Sequence, residues 1–113
     1  MKITTRMRDG VTVLEPKGKI TIGEGDVALR EAVHEAMNAG AKHMLINLQD
    51  TTTIDSSGIG ELVAAYTTVT NRGGNLKLLK LPPKVHDILQ ITQLVTVFEV
   101  YDDEEEAIGS FQA

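Results

Sequence analysis

Two hydroxyls and a carboxylate stand side by side in Thr53-Ile54-Asp55-Ser56-Ser57-Gly58-Ile59-Gly60-Glu61-Leu62, the stretch of this chain whose residue types point most directly to chemistry. A serine in such a place can be a nucleophile, a phosphate acceptor or a helix cap. The nucleophile reading needs a base and a sharp turn. No G-x-S-x-G elbow is present, because Ser57 follows Ser56 and Asp55. An enzyme using Asp55 and Ser57 as catalytic groups therefore has no feature that demands it. Gly58-Ile59-Gly60 is a lone G-x-G with neither a third glycine nor a lysine, so the dinucleotide and P-loop patterns are both unmet. His34, His43 and His86 are scattered without ligand spacing. Glu31, His34 and Glu35 share a helical surface that an exposed amphipathic helix explains better than a metal. The expectation is a binding module, with no catalytic residue, no metal and no cofactor.

The remaining readings share one physics. Ser56 or Ser57 can cap a helix, with Asp55 favoured at the positive end of its dipole and the glycines allowing close packing. A cap needs one such residue, however, and two glycines in a first turn cost about 1 kcal/mol each relative to alanine. A phosphoryl group on a serine here would bring about −1.5 to −2 charges at neutral pH. Free helix N–H groups would tolerate it, while a partner packed against Gly58 and Gly60 would meet a steric block and repulsion.

The elements that must position this segment are legible in order. Ile3 to Arg8 and Val11 to Glu15 read as strands joined at Asp9-Gly10, a strong hairpin signal. Lys17 to Thr21 reads as a continuation or a third short strand. Asp26 is placed to cap a helix with Leu29, Val33 and Met37 on one face, which Gly40 ends. His43 to Leu48 has the apolar run of a strand buried on both faces, and the threonine-rich Gln49 to Ile54 reads as a loop. Ile59, Leu62, Val63, Tyr66 and Val69 follow a helical period that Arg72-Gly73-Gly74 closes. Asn75 to Lys80 reads as a strand, and Pro82-Pro83 opens a helix burying Val85, Ile88 and Leu89. Val95 to Tyr101 reads as a last strand, with a helix from Asp102 carrying Ala107, Ile108 and Phe111. Strands alternating with helices predict an α/β fold with parallel pairing and crossover helices.

Composition narrows the function. The 113 residues fit one domain. They are 42% hydrophobic and 24% charged but only 4% aromatic, so the core is aliphatic and the stacking platforms of single-stranded nucleic acid binders are missing. The net charge of −5 opposes direct nucleic-acid binding. The acidic run Asp102 to Glu106 reads as the solvated start of a helix. With no cysteine, disulfides, thiol nucleophiles and thiolate metal sites are excluded. The N-terminal MKITTRMRDG has no apolar signal region and no run reaches membrane-spanning length, so cytoplasmic residence without membrane insertion is the expectation.

Ile54-Asp55-Ser56-Ser57-Gly58-Ile59-Gly60 resembles the D-S-[ST]-G-[LI]-G signature of bacterial anti-sigma factor antagonists, the stand-alone STAS domains. The early hairpin, the Met44 to Leu48 strand with its loop, the Gly73-Gly74-Asn75 turn and the Leu76 to Leu79 strand fall in the family's order. The resemblance implies a single STAS-like domain over residues 1–113, with a mixed sheet opened by a hairpin and about four helices packed on it. It implies a partner switch: the unphosphorylated form binds a serine-kinase anti-sigma factor and frees the sigma factor. Phosphorylation at Ser56 ends binding, and a PP2C-like phosphatase restores it. The implied partner surface is Asp55, Ser56, Ser57, Gly58, Ile59 and Gly60, together with Thr21. One departure stands out. Many members carry an acidic-apolar-Asp element after the early glycine, whereas here Gly18 is followed by Lys19-Ile20-Thr21. The alternative reading is a constitutive scaffold or small-ligand-sensing STAS domain of a stress, lipid-transport or transporter assembly, with Ser56 acting mainly as a cap.

Overall fold

A computed structural model describes residues 1–112. Strand β1 (Lys2–Arg8) turns back into β2 (Val11–Ile20), with Asp9 and Gly10 at φ of 50° and 81°, the left-handed pair that a two-residue hairpin requires. Lys17 to Ile20 thus continues β2 and forms no third strand. Helix α1 (Gly25–Asn38) leads to β3 (His43–Asn47), then β4 (Thr51–Ile54), α2 (Ser56–Asn71), β5 (Asn75–Leu79), α3 (Pro83–Ile91), the two-residue β6 (Val100–Tyr101) and α4 (Glu104–Ser110). The strands form a six-stranded mixed sheet in the order β1-β2-β3-β5-β6. Only β1 and β2 are antiparallel. This is the expected α/β architecture with four helices.

Two layers cover the sheet, and period-two alternation assigns them. Leu14, Ile20, Met44, Ile46, Leu76 and Leu78 point to the face carrying α1, α2 and α3, which bring Leu29, Val33, Leu62, Val69, Val85 and Leu89. Val11, Val13, Leu45 and Leu79 point the other way, to Ala107, Ile108 and Phe111 at the α4 end of the chain.

Two local expectations are corrected. The Gln49 to Ile54 segment is not all loop: β4 pairs in parallel with the far half of β2, Ile54 opposite Ile20. Its buried residues, Thr51 and Ile54, are three apart, across a register shift between Gly18 and Lys19, so no alternation marks it in the sequence. Conversely, most of Val95 to Tyr101 is not strand. A 3₁₀ turn spans Leu94–Thr96, and Phe98 is buried edge-on to Tyr66 at 5.3 Å, leaving Val100 and Tyr101 to pair with Leu78 and Leu79. Core filling overrides the β-propensity of these residues.

The acidic run is more than solvated. Asp103 caps α4 by accepting from the Glu106 amide at 3.0 Å. Glu104 accepts from Arg6 at 3.1 Å and Arg8 at 2.6 Å, and Arg6 also donates to Glu15 at 3.1 Å. These bonds tie α4 to the edge strand. The Arg6 guanidinium, with Arg8 adding to it, holds the Glu104 carboxyl down at about 2 against an ordinary 4.5. Because its folded pKa is depressed, Glu104 contributes stability that is complete above about 4.5 and is lost as pH falls through about 2. Glu104→Gln is expected to lower the urea-unfolding free energy near neutral pH by about 1 kcal/mol, the gap from the parent closing toward pH 2. A gap that persists in acid would assign the loss to packing instead.

Candidate functional site

The Asp55 segment lies where β4 hands over to α2. Asp55, not either serine, caps that helix. Its backbone is extended at φ −109° and ψ −173°, and its Oδ1 accepts from the Gly58 amide at 2.9 Å. Oδ2 accepts from the Ile22 amide at 3.0 Å, in the loop between β2 and α1. These two backbone donors, Ile22 foremost, hold the Asp55 carboxyl below its ordinary range. The tie is therefore complete above the ordinary carboxylate pKa and is lost as pH falls below it.

The same loop is gripped from the other side by Asp26. That residue was expected to cap α1, but the cap position is Glu24, which makes no side-chain cap bond. Asp26 sits buried in the first turn. Its Oδ1 accepts from Gly23 at 3.0 Å and from its neighbour Val27 at 2.7 Å, and its amide donates to the Thr21 carbonyl at 3.1 Å. Two carboxylates on two helices thus hold consecutive loop amides, those of Ile22 and Gly23. Fixed in this way, the Ile22 side chain stands 74% exposed. The available signal was an isoleucine in a turn of threonine, glycine and glutamate that no strand or helix period claims.

The predicted surface residues divide into two groups. Ser56 is exposed at the first position of α2, with Ser57 half-buried after it, and neither hydroxyl makes a hydrogen bond among the described residues. Gly60 is exposed, Thr21 is half-buried at the loop's start, and Asp55 joins the two segments. Gly58 and Ile59 face inward instead. Ile59 is 7% exposed in the core, and a Cβ on Gly58 would lie 2.1 Å from the Ile20 carbonyl oxygen. A Cβ on Gly60 would meet nothing within 4 Å. Gly58 is small for β2, not for a visitor. The histidines lie apart: His34 is exposed on α1, His43 packs against the Phe111 ring at 5.5 Å, and His86 neighbours Asp87 on α3 at 3.8 Å. Among the described residues, no cluster of three or more His, Asp or Glu is placed to hold a metal, and no helix is long and apolar enough to cross a membrane.

These geometries set opposite expectations for the two glycines. Gly58→Ala destabilises by at least about 2 kcal/mol through backbone overlap, whereas Gly60→Ala is stabilising by up to about 1 kcal/mol. Chemical denaturation of both variants checks the contrast, and equal effects would refute it. Asp55→Ala is expected to lower Tm by about 5 °C and to speed hydrogen exchange at the Ile22 amide. Unchanged exchange there would mean that the carboxylate does not hold the loop.

Comparison with known proteins supplies the lineage. The STAS domain family model matches residues 2–107. A Paenibacillus polymyxa protein named anti-sigma F factor antagonist is 22% identical over 112 residues, covering 99% of this chain and 96% of its own. Among solved structures, a Thermotoga maritima protein described as a candidate anti-sigma factor antagonist superposes with a TM-score of 0.91 at 25% identity, covering 98% of this chain and 95% of that one. The phosphorylated form of the Bacillus cell fate determinant SpoIIAA gives 0.75 at 22% identity, covering 96% and 98%. Sharing this architecture end to end and matched by the family model through nearly all of its length, the chain belongs to the STAS domain family.

Proposed function

We propose that the chain is a cytoplasmic protein-binding regulator without catalysis of its own, switched by phosphorylation at Ser56. In the unphosphorylated form it binds a serine-kinase anti-sigma factor through the start of α2 and the Thr21–Glu24 loop, and so frees the sigma factor. Phosphorylation of Ser56 by that kinase ends binding, and a PP2C-like phosphatase restores it.

One observation carries this reading: Asp55 supplies the cap, and the exposed Ser56 hydroxyl makes no hydrogen bond among the described residues. A phosphate there adds about −1.5 to −2 charges beside the unpaired N–H groups of a helix start, which accommodate it without melting the helix. It also stands next to Asp55, so a partner seated on Ile22, Ser56 and Gly60 meets bulk and concentrated negative charge together. The regulator reading is supported by the name of the Paenibacillus relative, and control by phosphate by the existence of SpoIIAA in a phosphorylated form. Catalysis finds no comparable support, since no histidine hydrogen-bonds either serine among the described residues.

The test is intact-mass and peptide analysis after incubation with ATP and each serine kinase of anti-sigma type encoded in the source genome. One added phosphate mapped to Ser56 and absent from Ser56→Ala is the expected result, with Ser56→Asp weakening kinase binding at least about tenfold. No modification by any of these kinases would favour the constitutive scaffold or ligand-sensing reading.

A further inference from the structure

At the end of β2 and the loop leading into α1 lies a small cleft of about 230 Å³, lined by Lys17, Gly18, Lys19, Thr21 and Glu24 together with Met1. Its charge is opposite in sign to that of the chain as a whole, which carries −5. Lys2 stands directly opposite Lys17 in the β1–β2 register, so their side chains leave the sheet on one face. Like charges so placed weaken strand pairing. All three lysines, Lys2, Lys17 and Lys19, are exposed, and none has a carboxylate within ion-pair distance among the described residues. Arg6 and Arg8, further along β1, are by contrast paired with Glu15, Glu104 and Glu105. Glu24 is the single carboxylate on the rim.

Position links the cleft to the switch. Lys19 is in register with Thr53, two residues before Asp55, and Thr21 precedes the Ile22 whose amide Asp55 holds. Resting on that reading of Ser56, we infer that the cleft lined by Lys17 and Lys19, with Lys2 opposite Lys17 on the neighbouring strand, receives an acidic segment of the same protein partner.

The charge pattern favours an acidic peptide over nucleic acid. The lining has no aromatic side chain on which a base could stack, and three lysines on a chain of net −5 make a local patch, not the extended basic stripe that phosphate backbones need. An acidic segment is attracted here and repelled elsewhere, which orients the partner as it arrives and raises its association rate. The Lys19-Ile20-Thr21 element thereby selects a partner complementary to lysine, where the acidic version of the element would select a basic one.

The probe is a short oligoglutamate peptide titrated into the isotope-labelled full chain at low salt, followed by amide chemical shifts. Saturable shifts centred on Lys17 to Ile22 are expected, with affinity falling about tenfold in Lys17→Glu/Lys19→Glu and fading as salt is raised. Lys42→Glu/Lys84→Glu makes the same charge change in the α1–β3 loop and on α3 and is expected to bind as the parent does. Shifts centred elsewhere, equal losses in both double variants, or equal affinity for a single-stranded DNA of matched charge would each overturn the inference. The peptide titration needs no kinase. Its failure alongside Ser56 phosphorylation would remove the cleft and leave the switch standing, and the reverse outcome would do the opposite.

Discussion

Both long helices rest on the last two residues of β2, and that close approach is the constraint on which the rest of the molecule depends. A Cβ on Gly25 would lie 2.0 Å from the Lys19 carbonyl oxygen, and one on Gly58 would lie 2.1 Å from that of Ile20. Glycine at both positions lets α1 and α2 drop onto the same stretch of backbone. With the helices seated there, Leu29 and Leu62 reach full burial over Ile20, and β4 can pair with β2 beyond the point where β3 leaves it. A larger residue at either site would lift a helix start off the sheet and open the close-packed core beneath it.

The same seating builds the functional surface. Once the helix starts are fixed, Asp26 and Asp55 face the loop between them and hold the adjacent amides of Gly23 and Ile22. Asp55 therefore caps α2 and tethers the loop with one carboxylate, and the exposed Ser56 hydroxyl makes no hydrogen bond among the described residues. On the proposed reading, charge added at Ser56 acts on a partner through local electrostatics while the fold stays as it is. Within three residues, Gly58 faces inward against β2 and Ser56 faces outward.

The opposite face of the sheet has its own arrangement. Helix α4 spans only Glu104–Ser110 and covers one patch around Val11, Val13, Leu45 and Leu79. Arg6 and Arg8 reach from the edge strand to Glu104, and Lys77, 7% exposed on β5, donates to the Ser110 hydroxyl at 2.9 Å with its ammonium 4.7 Å from the Phe111 ring centroid. Polar bonds here do what a longer apolar helix would otherwise do, holding the end of the chain against the sheet. Where these charges are paired they serve the fold, while Lys2, Lys17 and Lys19 carry no ion pair among the described residues.

Periodicity and turn chemistry were enough to read most of the elements, because a helix face repeating every three to four residues and an Asp-Gly between strand runs are local signals. The α/β class and the Asp55-Ser56 segment were legible for the same reason. What was not legible depends on distant neighbours. Thr51–Ile54 became a strand because β2 offers an unpaired edge there, and Val95 to Phe98 gave up extended structure so that Phe98 could bury against Tyr66. The roles within the motif were likewise set by tertiary contact: Asp55 took the cap because the Ile22 amide lay within reach of its second oxygen, and Gly58 turned inward because β2 passes beneath it. The sequence alone determined which residues stand at the helix start. Only the packing of α1 and α2 on the end of β2 decided which of them face the core and which face outward.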